Sequence, residues 1–202
     1  MILDHVANIG VPDEALRKYR NECNRLRVIR AGLDSLNAQI AGWESQVGSS
    51  VDTASVGLMC FGNDPFLTRF PIPLIECMFH WYAVSACNFV RLVGWVTNQE
   101  GASSLSPAGY VQSVLPAVGT FRDKVAAHFG RTEDRDGSAD QRASVFPQVG
   151  LMNGVFKVGI MKLGVRVKGV VSTSSDMAWS ITETHQALAR RYWPGATKEA
   201  GD

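Results

Sequence analysis

Along the first quarter of the chain, Leu16, Tyr19, Cys23, Leu26, Leu33, Leu36, Ile40, Trp43 and Val47 recur at steps of three and four, apart from one longer step occupied by Arg30. That spacing predicts a long amphipathic helix that starts at Pro12-Asp13-Glu14 and breaks near Gly32. Residues 48–72 collect helix breakers (Gly48-Ser49-Ser50, Gly62-Asn63-Asp64-Pro65, Pro71-Ile72-Pro73) and read as a long loop with one short helical turn. Leu74 to Thr97 is then almost wholly apolar or aromatic, with a regular seam of Ile75, Phe79, Tyr82, Ala86, Phe89, Val93 and Val96. It is long enough to span a bilayer, but Glu76, His80, Asn88 and Arg91 interrupt it, and a charge at mid-bilayer costs about 3 kcal/mol. The segment is expected as the central helix of a helical bundle, without membrane contact.

After the polar connection Gly101–Ser106, Pro107 starts a third helix through Tyr110, Val111, Val114, Leu115, Val118, Phe121 and Val125, with Pro116 and Gly119 as candidate kinks. Arg131 to Ser138 mixes charges without apolar periodicity and reads as a loop. The period then changes. Ser144–Met152 and Val155–Met161 are strand-like runs joined at Asn153-Gly154, a hairpin signal because both positions tolerate positive φ. Val165–Val170 alternates as a third strand, and Pro147 places the first at an edge or bulge. Ser174-Ser175-Asp176 resembles the cap of a last helix through Met177, Ile181, Leu188 and Tyr192, stopping before Pro194. The expected fold is mainly α: a helical bundle with a small antiparallel β meander before the C-terminal helix, α+β overall. One domain is predicted, with a helical core over about 13–130, the meander over about 144–171 and the last helix over about 175–193.

Composition narrows this little. Apolar residues make up 46% and charged ones 19% of 202 residues, an ordinary globular balance. A formal net charge of +1 excludes a strongly basic nucleic-acid coat and leaves only local patches to bind phosphates. The first long helix carries such a patch, where Arg17, Lys18, Arg20, Arg25, Arg27 and Arg30 face only Glu22 and Arg20 and Arg27 lie seven apart; Arg17, Arg20, Arg27 and Arg30 are candidate contacts to an RNA backbone, or the patch is a solvated helix flank. Trp81 and Trp95 could stack on bases where exposed, but are expected in the core. Cys23, Cys60, Cys77 and Cys87 lack paired spacing and read as reduced core thiols, and Met1-Ile2-Leu3-Asp4-His5 lacks the pattern of a secretory leader, so a cytoplasmic location is expected.

The most pointed chemistry is in Phe121-Arg122-Asp123-Lys124-Val125-Ala126-Ala127-His128-Phe129. An imidazole titrating near neutrality can move the proton of a ribose 2′-hydroxyl, and a planar guanidinium can grip a phosphate as charge builds on it. Equally, Arg and His suit the negative end of a helix that Gly130 would stop. The arginine, five intervening residues and histidine resemble the signature of the HEPN superfamily. That resemblance implies a small helical bundle, often dimeric, and a ribonuclease of toxin–antitoxin, phage-defence or RNA-processing systems, with Arg122 and His128 as its two functional positions. The expected activity is metal-independent endoribonuclease cleavage to 2′,3′-cyclic phosphate ends, without cofactor, by a homodimer that has RNA as substrate and an antitoxin or other protein as partner. The alternative is a non-catalytic helical interaction or scaffold protein.

On an ideal helix Arg122 and His128 stand about 120° apart around the axis. Either the helix loosens between them or a two-fold related subunit completes the site. Asp123, Glu76, His80 and Asn88 are the side chains expected to flank the pair. Glu76, His80, Cys87 and Arg91 form a polar stripe on the central helix, read either as an internal ion pair beside a buried thiol or as a second titratable group at the same cleft. Glu76 with His80, or Cys77 with His80, could ligate a metal, but no HExxH and no second Glu-x-x-His unit supplies further ligands, so no metal is expected. His185 reads as surface decoration on the last helix.

Overall fold

The computed structural model describes residues 13–48, 59–61, 67–99, 105–123, 143–166, 169–174 and 179–193. Helix α1 (Asp13–Gly48) runs for 36 residues without a break. The expected interruption at Gly32 does not occur, because the helix is held from outside: Cys23, Leu33, Ile40 and Val47 are buried along one side of it, and tertiary packing outweighs the roughly 1 kcal/mol propensity cost of one glycine. Helix α2 (Ile72–Gln99) is the centre of the bundle, and all seven residues of its predicted seam are buried. The third helix does not merely kink. It splits into α3 (Pro107–Val114) and α4 (Pro116–Phe121), since Pro116 drives Leu115 out of the helical region to φ −133°, ψ 59°. Gly94 of α2 makes room for α3: a β-carbon there would stand 3.1 Å from the Tyr110 side chain.

Strand β1 (Met59–Phe61) and a 3-10 turn at Leu67–Arg69 lie in what reads as loop from the sequence. The turn was expected and the strand was not, because three residues are too few to show alternation. With β2 (Ala143–Met152), β3 (Val155–Arg166) and β4 (Gly169–Ser174) it forms one antiparallel sheet in the order β1-β2-β3-β4. The β2–β3 turn is the predicted one, with φ 52° at Asn153 and 75° at Gly154. The predicted third strand straddles a hairpin: Val165 and Arg166 end β3 and pair with Val170 and Gly169, which begin β4. β1 pairs only with Gly150–Met152, so among the described residues Pro147 has a neighbour on one side alone, the setting a residue without an N–H requires.

The last helix, α5 (Ile181–Tyr192), begins later than expected. Ser180 Oγ accepts a hydrogen bond from the Glu183 N–H at 3.1 Å, and this Ser-x-x-Glu pair sets the start. One hydrophobic cluster joins the buried faces of α1, α2, α3, α4, β2, β3 and α5. The architecture is thus mainly helical, with a small antiparallel sheet ahead of the C-terminal helix. No helix among the described residues is long and apolar enough to cross a membrane.

The cysteines and tryptophans depart from expectation in part. Cys23 and Cys87 are buried, but Cys77 is exposed, and Trp81 is 62% exposed on the outer face of α2 beside the exposed Leu74 and Val84. Residues 74, 77, 81 and 84 follow at steps of three and four, so this is a second stripe on α2, on the side away from the seam.

Candidate functional site

Arg122 follows α4, in a wider π-type turn that it shares with Asp123. The helix therefore widens at the first member of the Arg–His pair, where an ideal helix would hold the two apart. Arg122 Nε donates to Asp123 Oδ1 at 2.8 Å, and a second guanidinium N–H goes to the same oxygen. The Arg122 side chain is 16% exposed and that of Asp123 58%, so the carboxylate sits on the solvent side of the guanidinium. Two of the five guanidinium N–H donors are engaged by Asp123. His128 lies outside the described residues.

The α2 polar stripe reaches this corner. The His80 ring lies 5.3 Å from that of Phe121, the residue before Arg122, and the charges of Arg122, Asp123 and Arg91 all act on the Cys87 thiol. Burial pushes that thiol up to about 11, against the opposing pull of the two arginines, so it stays protonated and inert. Glu76 Oε1 stands 3.9 Å from His80 Nε2. Burial raises the pKa of the first and lowers that of the second, so desolvation favours the neutral form of each. His80 and Cys87 of the α2 stripe thus lie near the Arg122 end of α4, with Glu76 one turn before His80 and Asn88 next to Cys87. No three His, Cys, Asp or Glu side chains gather at a metal-binding distance among the described residues.

Arg17, Arg20 and Arg27 are exposed, while Arg30 is committed elsewhere: its Nε is 3.6 Å from Asp34 Oδ2, and its guanidinium lies 4.9 Å over the Trp193 ring. A groove of about 380 Å³ instead opens between other residues of α1 and α2, lined by Lys18, Glu22, Arg25, Asn88, Arg91 and Trp95 among others. Lys18 and Arg25 are seven apart on α1, the spacing that singled out Arg20 and Arg27, so the sequence held the signal without saying which pair would meet a partner helix.

His185 is not surface decoration. Its side chain is 12% exposed, with Nε2 3.2 Å from Asp34 Oδ1 and Nδ1 3.2 Å from the hydroxyl of the fully buried Tyr82. Asp34, as a carboxylate, only accepts, so Nε2 carries the proton and Nδ1 accepts from Tyr82. Burial is the main force lowering the imidazole pKa, with Arg30 adding to it and Asp34 opposing. Glu44 plays a related part: its carboxylate accepts from the Phe156 N–H at 2.8 Å and from the Thr182 hydroxyl at 2.6 Å, tying α1 to β3 and α5. Burial raises its pKa, with those two bonds opposing. Sequence reasoning passed over Glu44 because an isolated acid in an amphipathic helix carries no local signal.

Compared with known proteins, the chain matches no family model, no curated protein and no solved structure.

Proposed function

We propose that this protein is a HEPN-like, metal-independent endoribonuclease. Arg122 binds the scissile phosphate, and His128 acts as general acid or base. The 2′-oxygen attacks phosphorus and gives its proton to a base, the bond from phosphorus to the 5′-oxygen breaks, and that oxygen takes a proton from an acid. The products are a 2′,3′-cyclic phosphate and a free 5′-hydroxyl. Each such proton transfer typically contributes about 10²- to 10⁴-fold.

The observation that carries this reading is the position of Arg122. Its guanidinium is oriented by Asp123 at a widened helix end, and the Phe121–His80 contact sets an imidazole of α2 beside the residue before it. A guanidinium fixed through one edge keeps its remaining N–H groups aligned for a phosphate. The reading also includes a homodimer, in which a two-fold axis would bring two copies of the pair together, a cytoplasmic setting, and a toxin–antitoxin or defence role with a protein partner.

A second reading rests on the same ion pair. An arginine 16% exposed and already bound to its neighbour also suits a non-catalytic helical scaffold, in which the pair only closes the end of α4. Cleavage of single-stranded RNA in EDTA separates the two. The enzymatic reading expects His128→Ala and Arg122→Ala to lower cleavage at least a hundred-fold with melting temperatures within a degree or so of wild type. Equal cutting by wild type and His128→Ala ends it. A fall in melting temperature of several degrees for Arg122→Ala, with no cleavage by wild type, supports the scaffold.

A further inference from the structure

The groove between α1 and α2 is built from two strips of residues distant in sequence. Lys18, Glu22, Arg25 and Ile29 follow on α1 at steps of four, three and four, and Asn88, Arg91 and Trp95 on α2 at steps of three and four, so each set lies along one helix face. Pro107, the first residue of α3, joins the lining. Three cations thus meet one carboxylate. That carboxylate is taken: Glu22 Oε2 lies 3.2 Å from Arg25 Nη1. Among the described residues no acid pairs with Lys18 or Arg91, and the Lys18 ammonium rests 5.7 Å from the centre of the Trp95 ring.

Two cations with no acid partner among the described residues, and an indole wall, define the ligand chemistry. A guanidinium can donate two parallel bonds to a phosphate, an ammonium adds a mobile point charge, and an indole face offers a surface on which any base can stack. A volume of about 380 Å³ lies at the small end of the range for small-molecule sites, roughly 300–1,000 Å³, and suits one nucleotide unit rather than a duplex. Arg91 is one helical turn from Cys87, and the charges of Arg91 and Arg122 both act on that thiol.

We infer that this groove is a subsite for single-stranded RNA, in which Arg91 and Lys18 hold a backbone phosphate and Trp95 stacks on the adjoining base. The choice of RNA rests on the ribonuclease reading, whereas the cations and the aromatic wall do not depend on it. A strand leaving the groove along α2 passes toward Arg122, so the subsite would anchor substrate beside the cleavage position rather than take part in the chemistry.

The test uses the full chain and a fluorescein-labelled, 2′-O-methylated octanucleotide, which cannot be cut by transesterification, with binding read by anisotropy over a range of salt concentrations. Arg91→Glu is expected to weaken binding at least ten-fold and to reduce the salt slope by about 0.7, the contribution of one single-strand phosphate. Trp95→Leu is expected to weaken it about ten-fold with the salt slope unchanged, because stacking releases no counterions. Unchanged affinity in both variants, each melting as wild type does, overturns the inference. So does competition by inorganic polyphosphate as effective as that by unlabelled octanucleotide, which would mark a plain anion patch. Cleavage of unmodified RNA is measured in parallel. Binding through the groove without cleavage sustains the subsite and removes the nuclease, while cleavage that Arg91→Glu and Trp95→Leu leave intact, alongside unchanged binding, removes only the subsite.

Discussion

The two halves of α1 carry similar charges and put them to opposite uses. Toward its N-terminus, Lys18 and Arg25 border an open groove, and the one acid there reaches only Arg25. Toward its C-terminus every charge named also reaches another element: Arg30, paired with Asp34 on the same helix, lies over Trp193, Asp34 meets His185, and Glu44 holds Phe156 and Thr182. The second half has α5 and β3 packed against it, and burial next to those elements requires each polar group to find a partner. The first half has solvent on that side, and its cations keep their capacity for a ligand. A run of basic residues in a sequence therefore says little until the packing partner of each helical turn is known.

The sharpest break in this contrast is Glu44→Ala. It strips the acceptor from the Phe156 N–H and the Thr182 hydroxyl and is expected to cost about 2 kcal/mol in urea unfolding. Glu44→Gln should lose much less, since an amide can accept from Phe156 and donate to Thr182. Next comes Tyr82→Phe, which leaves His185 Nδ1 without its donor inside the core, for about 1 kcal/mol. At the junction of the halves, Gly32→Ala should stabilise by about 0.5–1 kcal/mol, because a β-carbon there meets nothing within 4 Å. Smallest of all, Lys18→Ala and Arg25→Ala should stay within about 0.5 kcal/mol of wild type, for want of any buried partner to strand.

A pH titration probes the closed half through His185. His185 has a lowered pKa in the folded state, so below the ordinary histidine value of about 6.5 the unfolded chain takes up the proton more readily and stability falls as pH drops. His80 contributes in the same direction, whereas the raised carboxylates of Glu44 and Glu76 oppose it, losing stability as pH rises above the ordinary carboxylate range. The readout is accordingly a difference. His185→Gln should lose less stability than wild type between pH 7 and pH 5. An unchanged slope would show that the His185 contacts do not hold the neutral ring.

Much of this fold was legible from period alone. The α2 seam was, since one helical repeat of large apolar residues can bury only one face, and so was the β2–β3 turn, since Asn153 and Gly154 supply the two positive φ values it needs. The start of α5 was misplaced because Ser174-Ser175-Asp176 and Ser180-x-x-Glu183 are both plausible caps, and tertiary contacts decide between them. Trp179, bridged to Val158, belongs to the sheet side of that boundary. Trp81 was misjudged because size and hydrophobicity favour burial while its place in the helical repeat turns it outward. Of the site, the sequence names Arg122 and the His80 stripe, while the contact of His80 with Phe121 depends on how α4 packs on α2. The groove was not legible, for it exists only where residues 18–29 come alongside residues 88–95.

The hydrogen bond from Phe156 to Glu44 closes a separation of 112 residues, and β1 finds its neighbour only once Gly150–Met152 have been made, with α2, α3 and α4 intervening. A ribosome emitting this polypeptide delivers both long helices before the strands that seal them exist. Local helical contacts can form at once, but the sheet and the Glu44 clasp must await translation of residues 143–182. A nascent chain halted short of residue 150 would therefore present β1 as a bare strand edge, the state in which this protein is most exposed to aggregation and to chaperone capture.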